Sequence, residues 1–548
     1  MPSVFLRKQT TILSGAFVIM VTYALSHVMG LLKTRLIISH FFFQAGSLDV
    51  YYASLTIPDT IFQLLVIGAL SAAFIPTFTK NLNRDESAAW KMASSTMNLV
   101  SLALIGICAV VAVFASPISH LLAPGFSANQ IVLMSNLTRI MLLSQIFFSI
   151  SGFLTAIIQS HQRFLISALA PVVYNLGIIL GVLLFSSSLG IYAPAAGMLI
   201  GAVLHMAIQI PVAYKLGFRF QALLDVNLPG VKEVLRLMPA RVMTLGVDQI
   251  EQLVAVLLTS LLAAGSLTLL NVARLLYSIP ALLFGSTIGQ AALPTLSHIS
   301  AKDERAQFGQ TLASSLFQVI YMAIPISVFF IVLRVPIVRL AFGAKTFPWE
   351  ATLLTGETLA ILALSSVFYA AMQLLIRAFY ALSDTRTPFW IGLLAALFDS
   401  GLAIILSKWA NLGIVGIAVA VSATAILESF VLTLLILEKL DQTFAVRNFF
   451  GRLLQLGSIG ILTGFCLWAP MRLLDKFIFD TTRTLPLLIL TLITSVIGMG
   501  VYILLSYVFQ VPELALIGRT FRKLATWRQL LKSNPPEEAT IVPAPDQN

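Results

Sequence analysis

Residues 57–90 read IPDTIFQLLVIGALSAAFIPTFTKNLNRDESAAW, and residues 279–308 read IPALLFGSTIGQAALPTLSHISAKDERAQF. Each stretch opens Ile-Pro, places Phe four residues after the proline (Phe62, Phe284), and closes on Pro-Thr, an apolar residue and a hydroxyl. Asp-Glu begins nine residues after the second proline, at Asp85 and at Asp303. The prolines stand 18 residues apart in one copy and 14 in the other, a difference of about one helical turn that roughly keeps the helix facing. A second pair repeats the order. HQRFLISALAPVVYN puts Asn175 eleven residues after Phe164, and DTRTPFWIGLLAALFD puts Asp399 eleven residues after Pro388, both offset by 224. The chain therefore reads as two homologous six-helix lobes, 10–216 and 229–438. Two further helices follow within 445–510, and a basic segment with a polar, Pro-rich, disordered tail occupies 511–548. Prolines 58 and 280, matched by the repeat, are expected to bend their helices.

The surroundings of the repeat set the solvent. The chain is 58% hydrophobic and 10% charged, with mean hydropathy +0.94, too apolar for any soluble core of this length to hide. A 19-residue window divides it into about fourteen apolar stretches. The fold class expected is an all-α membrane protein of about fourteen transmembrane helices. Of the 34 Lys and Arg, 21 fall on alternate connections that include both termini, and five on the other side. The positive-inside rule then places both termini in the cytoplasm. The net charge of +11 is mostly this topology signal and attraction to anionic lipid, so nucleic acid is not implied.

Eight cations remain within or at the ends of spans: Lys33, Arg35, Arg139, Arg241, Arg274, Arg334, Arg339 and Arg377. A cation at the bilayer centre costs roughly 2.5–3.5 kcal/mol, so it turns to a bundle interior or a wet cavity. Arg334 and Arg339 lie near a span end and are read as snorkelling. Arg35, two residues after Lys33, points about 200° away from it. Cys108 and Cys466 are read as packing residues, and the histidines show no ligand spacing. No Walker loop or GxGxxG is present, so the chain is not read as an enzyme or ATPase. The first apolar stretch is too long for a signal peptide's core and is expected to stay as the first span.

Ser26, Gly30, Lys33, Gly46, Asp49, Ile57-Pro58 and Gly68-Ala69 with AFIP, followed by QRFLISALAPVVYN, RLMPARV, AALPTLS and FYALSDTRTP, resemble the MurJ (MviN) family of lipid II flippases. That family lies within the multidrug and lipid-linked oligosaccharide exporter superfamily. The resemblance implies a bacterial inner-membrane transporter that moves lipid-linked peptidoglycan precursor to the outer leaflet by alternating access. It also implies a cationic central cavity for a polyprenyl-diphosphate glycan and a groove for its tail on helices 13 and 14. Flippases for other polyprenyl-linked polysaccharides, and a transport-inactive scaffold, are the alternative readings. The sequence departs from the family's pattern at its charges. The first-span arginines fall on His27 and Lys33, the second-span pair on Phe62 and Gln63, and its glutamate on Ile67. The eighth-span arginine falls on Leu275 beside Arg274, and an acidic seventh-span position on Ala255, with Glu251 one turn before.

The cavity candidates are thus Lys33, Arg274, His27, Asp49, Arg377, Arg139 and Arg241. Asp49 reads equally as a helix cap, and His27 as a satisfied core residue. Asp399 and Glu251 are candidates for sodium or proton coupling, with structural neutralisation of Arg241 or Arg377 as the blander role. No cofactor is called for; a sodium gradient or the membrane potential would supply the energy. The oligomeric state is not legible.

Overall fold

The computed structural model describes residues 12–70, 74–161, 163–302, 304–343, 346–440, 446–481 and 483–515. The tail from 516 on, Asp303 and Lys345 lie outside these residues. The described chain is helical, and its elements follow the repeat.

In the first lobe, α1 is Ile12–Phe41, α2 is Ala45–Phe62, α3 is Ile75–Leu82 and α4 is Glu86–Val113. A short α5 (Ala115–Leu122), then α6 (Ala128–Ser160), α7 (Phe164–Leu189), α8 (Ala193–Ala207) and α9 (Ile210–Lys215) complete it. In the second lobe, α10 is Pro229–Ser260, α11 Ser266–Tyr277, α12 Thr287–Ala301 and α13 Arg305–Val332. It continues through α14 (Arg334–Phe342), α15 (Trp349–Ala381), α16 (Arg386–Ile404) and α17 (Gly413–Lys439). The last two long helices are α18 (Val446–Phe477) and α19 (Thr484–Val508).

Among the described residues, eleven stretches are long and apolar enough to cross a membrane, and the α11–α12 pair makes a twelfth, bent by 42°. The stretch 165–215 folds back on itself at Gly190–Tyr192, and α1 is 30 residues long. Counting both limbs and α1 accommodates the fourteen expected spans.

Local chemistry explains the helix ends. Asp85 accepts from the Ala88 N–H at 3.1 Å to start α4, and Ser127 with Gln130 forms a capping box on α6. Both copies of the Ile-Pro motif interrupt the α-helix with a π-turn, at Gln63–Ile67 and at Ala281–Ser286, as expected where proline removes a backbone bond. Helices α7 and α8 pack backbone to backbone through glycines. A Cβ on Gly177 would lie 2.3 Å from the Gly201 Cα, and one on Gly181 equally close to the Gly197 Cα. This is the small-residue packing that substitutes for hydrophobic drive in lipid.

The lobes touch at the end poor in Lys and Arg. Arg35 reaches the Leu340 carbonyl at 2.7 Å, and Thr346 Oγ1 donates to the Ser39 carbonyl at 3.1 Å. The Gly125 N–H donates to Ser260 Oγ at 3.3 Å. At the basic-rich end the connection before α10 is tied to α4: Asn98 Nδ2 donates to the Gln221 carbonyl at 2.7 Å, and Ser95 Oγ to the Asp225 carbonyl at 3.0 Å. Helix α10 therefore starts against the first lobe and ends within the second, with Thr60 Oγ1 donating to Gln249 Oε1 at 3.1 Å midway.

Candidate functional site

Lys33 projects from α1 toward α7, its Nζ 5.8 Å from the Tyr174 ring centroid. Its ammonium makes no hydrogen bond to a described residue. The charge in electrostatic reach is Asp59 on α2, one residue after the first motif proline, whose Oδ1 accepts from Gln145 Nε2 at 3.4 Å. Lys33 and Asp59 are both half-buried, so the cation faces the bundle and not the lipid. His27, two turns earlier on α1, is half-buried with an Nε2 that has no hydrogen-bond partner.

Arg274 on α11 is the counterpart in the second lobe. It is half-buried, and its guanidinium also makes no hydrogen bond to a described residue. Around it lie Glu251 on α10 and Asp399 on α16, with Asp248 on α10 and Glu428 on α17 adjoining Glu251. Tyr277 and Tyr369 stack beside them, with ring centroids 5.4 Å apart. Asp248 is exposed midway along a long apolar helix. An ionisable side chain open to hydrocarbon would be costly, so this face of α10 is wet.

The repeat register reappears here. His27 and Asn175 stand 224 residues before Glu251 and Asp399. The first pair lies on the packed helices α1 and α7, where Asn175 Nδ2 donates to the Ser26 carbonyl at 3.3 Å. The second lies on the packed helices α10 and α16. Asp399 is 3% exposed, and its Oδ1 has no partner.

The other candidates are engaged elsewhere. Asp49 is 2% exposed and reaches across to the second lobe. It accepts from the Gly265 N–H at 2.7 Å, the Thr268 N–H at 2.8 Å and the Thr268 hydroxyl at 2.6 Å. It is therefore a cap, as one reading of the sequence had it, but of α11 in the opposite lobe and not of its own helix. The positive end of α11 and the orphan N–H groups of its first turn favour a carboxylate there. Arg139 is exposed and holds the Ala112 carbonyl at 2.9 Å, closing the end of α4. Arg377 Nη1 donates to the carbonyls of Gly285 and Gln373, both at 3.3 Å, stabilising the π-turn that follows Pro280. These three spend their hydrogen bonds on other groups of the protein. Arg241 lies beside Asp248 and Tyr380. The Arg339 guanidinium sits 5.5 Å from the Trp349 ring centroid, which suits a span end. Both cysteines are free.

Two residues escaped the sequence reading. Asp59 was absorbed into the Ile-Pro motif, and Glu428 lies in the apolar run ATAILESFVL. In both, an acid inside a span was the available signal.

An apolar cavity of about 490 Å³ opens among α13, α15 and α18, where Gly457, Gly460 and Gly464 face Ile324, Val328 and Val367. Of the two helices on which a tail groove was expected, α18 lines this cavity, together with α13 and α15.

Comparison with known proteins adds a lineage to this geometry. The family profile described as "Lipid II flippase MurJ" matches residues 38–480. A Thermotoga maritima protein named "Probable lipid II flippase MurJ" is 28% identical over 414 residues, 75% of this chain and 82% of that protein. The "Lipid II flippase MurJ" of Burkholderia cenocepacia is 26% identical over 373 residues, 66% of this chain and 72% of that one. The solved structure titled "Lipid II flippase MurJ, inward closed conformation" superposes with a TM-score of 0.75 at 25% identity, covering 90% of this chain and 98% of that one. A two-lobed helical bundle, matched by the family profile over most of its length, leaves one assignment: the chain belongs to the lipid II flippase MurJ family.

Proposed function

We propose that this chain is a lipid II flippase that carries lipid-linked peptidoglycan precursor from the cytoplasmic to the outer leaflet by alternating access. One observation carries the reading. Lys33 and Arg274 present charged groups with free donor positions from opposite lobes, while Arg35, Arg139 and Arg377 bind backbone carbonyls. A diphosphate needs such donors, since buried cations without acceptors are costly unless a ligand completes them. The Asp49 cap and the Arg35 contact close the basic-poor end, taken as the outer one, so cargo would enter from the cytoplasmic side. The prenyl tail would stay in hydrocarbon and in the cavity beside α18, and both termini would lie in the cytoplasm. Expression in a bacterium depleted of its own flippase is expected to restore growth and clear accumulated lipid II. If it restores only a surface polymer in a strain lacking that polymer's flippase, the cargo is another polyprenyl-linked glycan. The loss of the second-span arginines to Phe62 and Gln63 is what keeps that alternative open.

A sodium or proton gradient, or the membrane potential, would supply the energy. Glu251 and Asp399, two carboxylates near one arginine with one oxygen left without a partner, suit a proton better than sodium. Asp399→Asn is then expected to flatten the pH dependence of transport and leave its sodium response unchanged; the reverse pattern would assign the site to sodium.

A further inference from the structure

The carboxylate facing Lys33 is the feature that the lineage and the sequence leave without a role. Asp59 stands in the middle of a span, half-buried, where an acid is costly and is retained only with a partner. Its partners are Gln145, which holds Oδ1 at 3.4 Å, and the charge of Lys33. No direct ion pair forms between Lys33 and Asp59, so the ammonium keeps its donors open while its charge is balanced across a gap. Tyr174 supplies the other face, with Nζ over its ring. Arg274 has the same arrangement in the second lobe, with Glu251 and Asp399 as the balancing acids.

We propose that Asp59 is a resident counter-ion of Lys33 that selects cargo by charge: it is a specificity-determining residue that makes the site discriminate a diphosphate from a singly charged anionic lipid. The physical reason is a competition. An incoming anion gains the attraction of Lys33 but meets the repulsion of Asp59 in a medium where both are strong. A monovalent headgroup offers Lys33 little more than the tethered carboxylate already does. A diphosphate brings more charge and several acceptor oxygens, and reaches the open donors of Lys33. Asp59 also reclaims Lys33 when the cargo leaves, which speeds release on the far side. The inference deepens the flippase reading and rests on it for the identity of the anion.

The test uses the purified full-length chain in lipid nanodiscs, with farnesyl diphosphate and farnesyl monophosphate as probes. Wild type is expected to favour the diphosphate by about 30-fold or more. Asp59→Asn, which keeps the amide-compatible contact to Gln145, is expected to bind both probes more tightly, release them more slowly and lower the preference at least fivefold. An unchanged ratio, or weaker diphosphate binding by Asp59→Asn, overturns the proposal. A second readout does not depend on cargo. Removing the balancing charge makes the Lys33 amine lose its proton more readily, so acylation of Lys33, followed by mass spectrometry, is expected to accelerate severalfold in Asp59→Asn and not in Asp248→Asn. An unchanged Lys33 rate overturns the counter-ion role. If the rate rises but wild type binds neither probe, the counter-ion stands, and both the diphosphate reading and the selectivity drawn from it are wrong.

Discussion

Asp49→Ala is expected to unlatch the basic-poor end of the molecule and abolish the cycle. The carboxylate accepts three hydrogen bonds from α11 while almost wholly buried. Its loss strands two backbone N–H groups and a hydroxyl, each costing roughly 1–3 kcal/mol when buried without a partner. Even about 3 kcal/mol in total shifts the ratio of latched to open states by about 100-fold. Asp49→Asn keeps one acceptor oxygen and loses the charge that suits the helix end, so its effect should be intermediate. The check is a single cysteine at Leu267, 2% exposed in the first turn of α11, in a chain with Cys108 and Cys466 replaced by alanine. Labelling by a membrane-impermeant maleimide from the basic-poor side should accelerate by about two orders of magnitude in Asp49→Ala. Unchanged labelling would mean that the cap does not govern this end.

Arg274→Leu should be the most destabilising change within the second lobe. The arginine is the cation beside Glu251 and Asp399, with Asp248 and Glu428 close to Glu251. Removing one side of a buried charge arrangement leaves the other uncompensated, a loss on the order of 3 kcal/mol. A clear fall in the thermal unfolding midpoint of the purified chain is expected. Adding Glu251→Gln should restore part of it, because the second change removes the stranded charge. The double-mutant cycle isolates that coupling; strict additivity would place Arg274 outside the acidic cluster.

Much of this architecture was legible in the residues themselves. Hydropathy and the placement of Lys and Arg marked the spans because lipid leaves few options for an apolar helix, and the twin Ile-Pro motifs announced the lobes and an irregularity at Pro58 and Pro280, which only the fold shows to be π-turns. The site was harder to read, because a cation's position along a span does not say what it meets. Lys33, Arg139 and Arg377 look alike in sequence. Only the fold shows that Arg139 closes the end of α4 and Arg377 holds a broken turn, while Lys33 keeps its donors free. Asp49 was recognisable as a capping type, yet Gly265, at the start of the helix it caps, lies 216 residues away. Asp59 was hidden by the motif that contains it.

One experiment bears most directly on the claim that two cations from facing lobes hold an anionic headgroup between them: equilibrium binding of farnesyl diphosphate to the nanodisc-embedded chain, wild type against Lys33→Gln, Arg274→Gln and the pair. Each single change is expected to weaken binding by about tenfold or more, as the loss of one charge-assisted contact would, and the pair to reduce it to the level of protein-free nanodiscs. Binding by the double variant as tight as wild type would contradict the account.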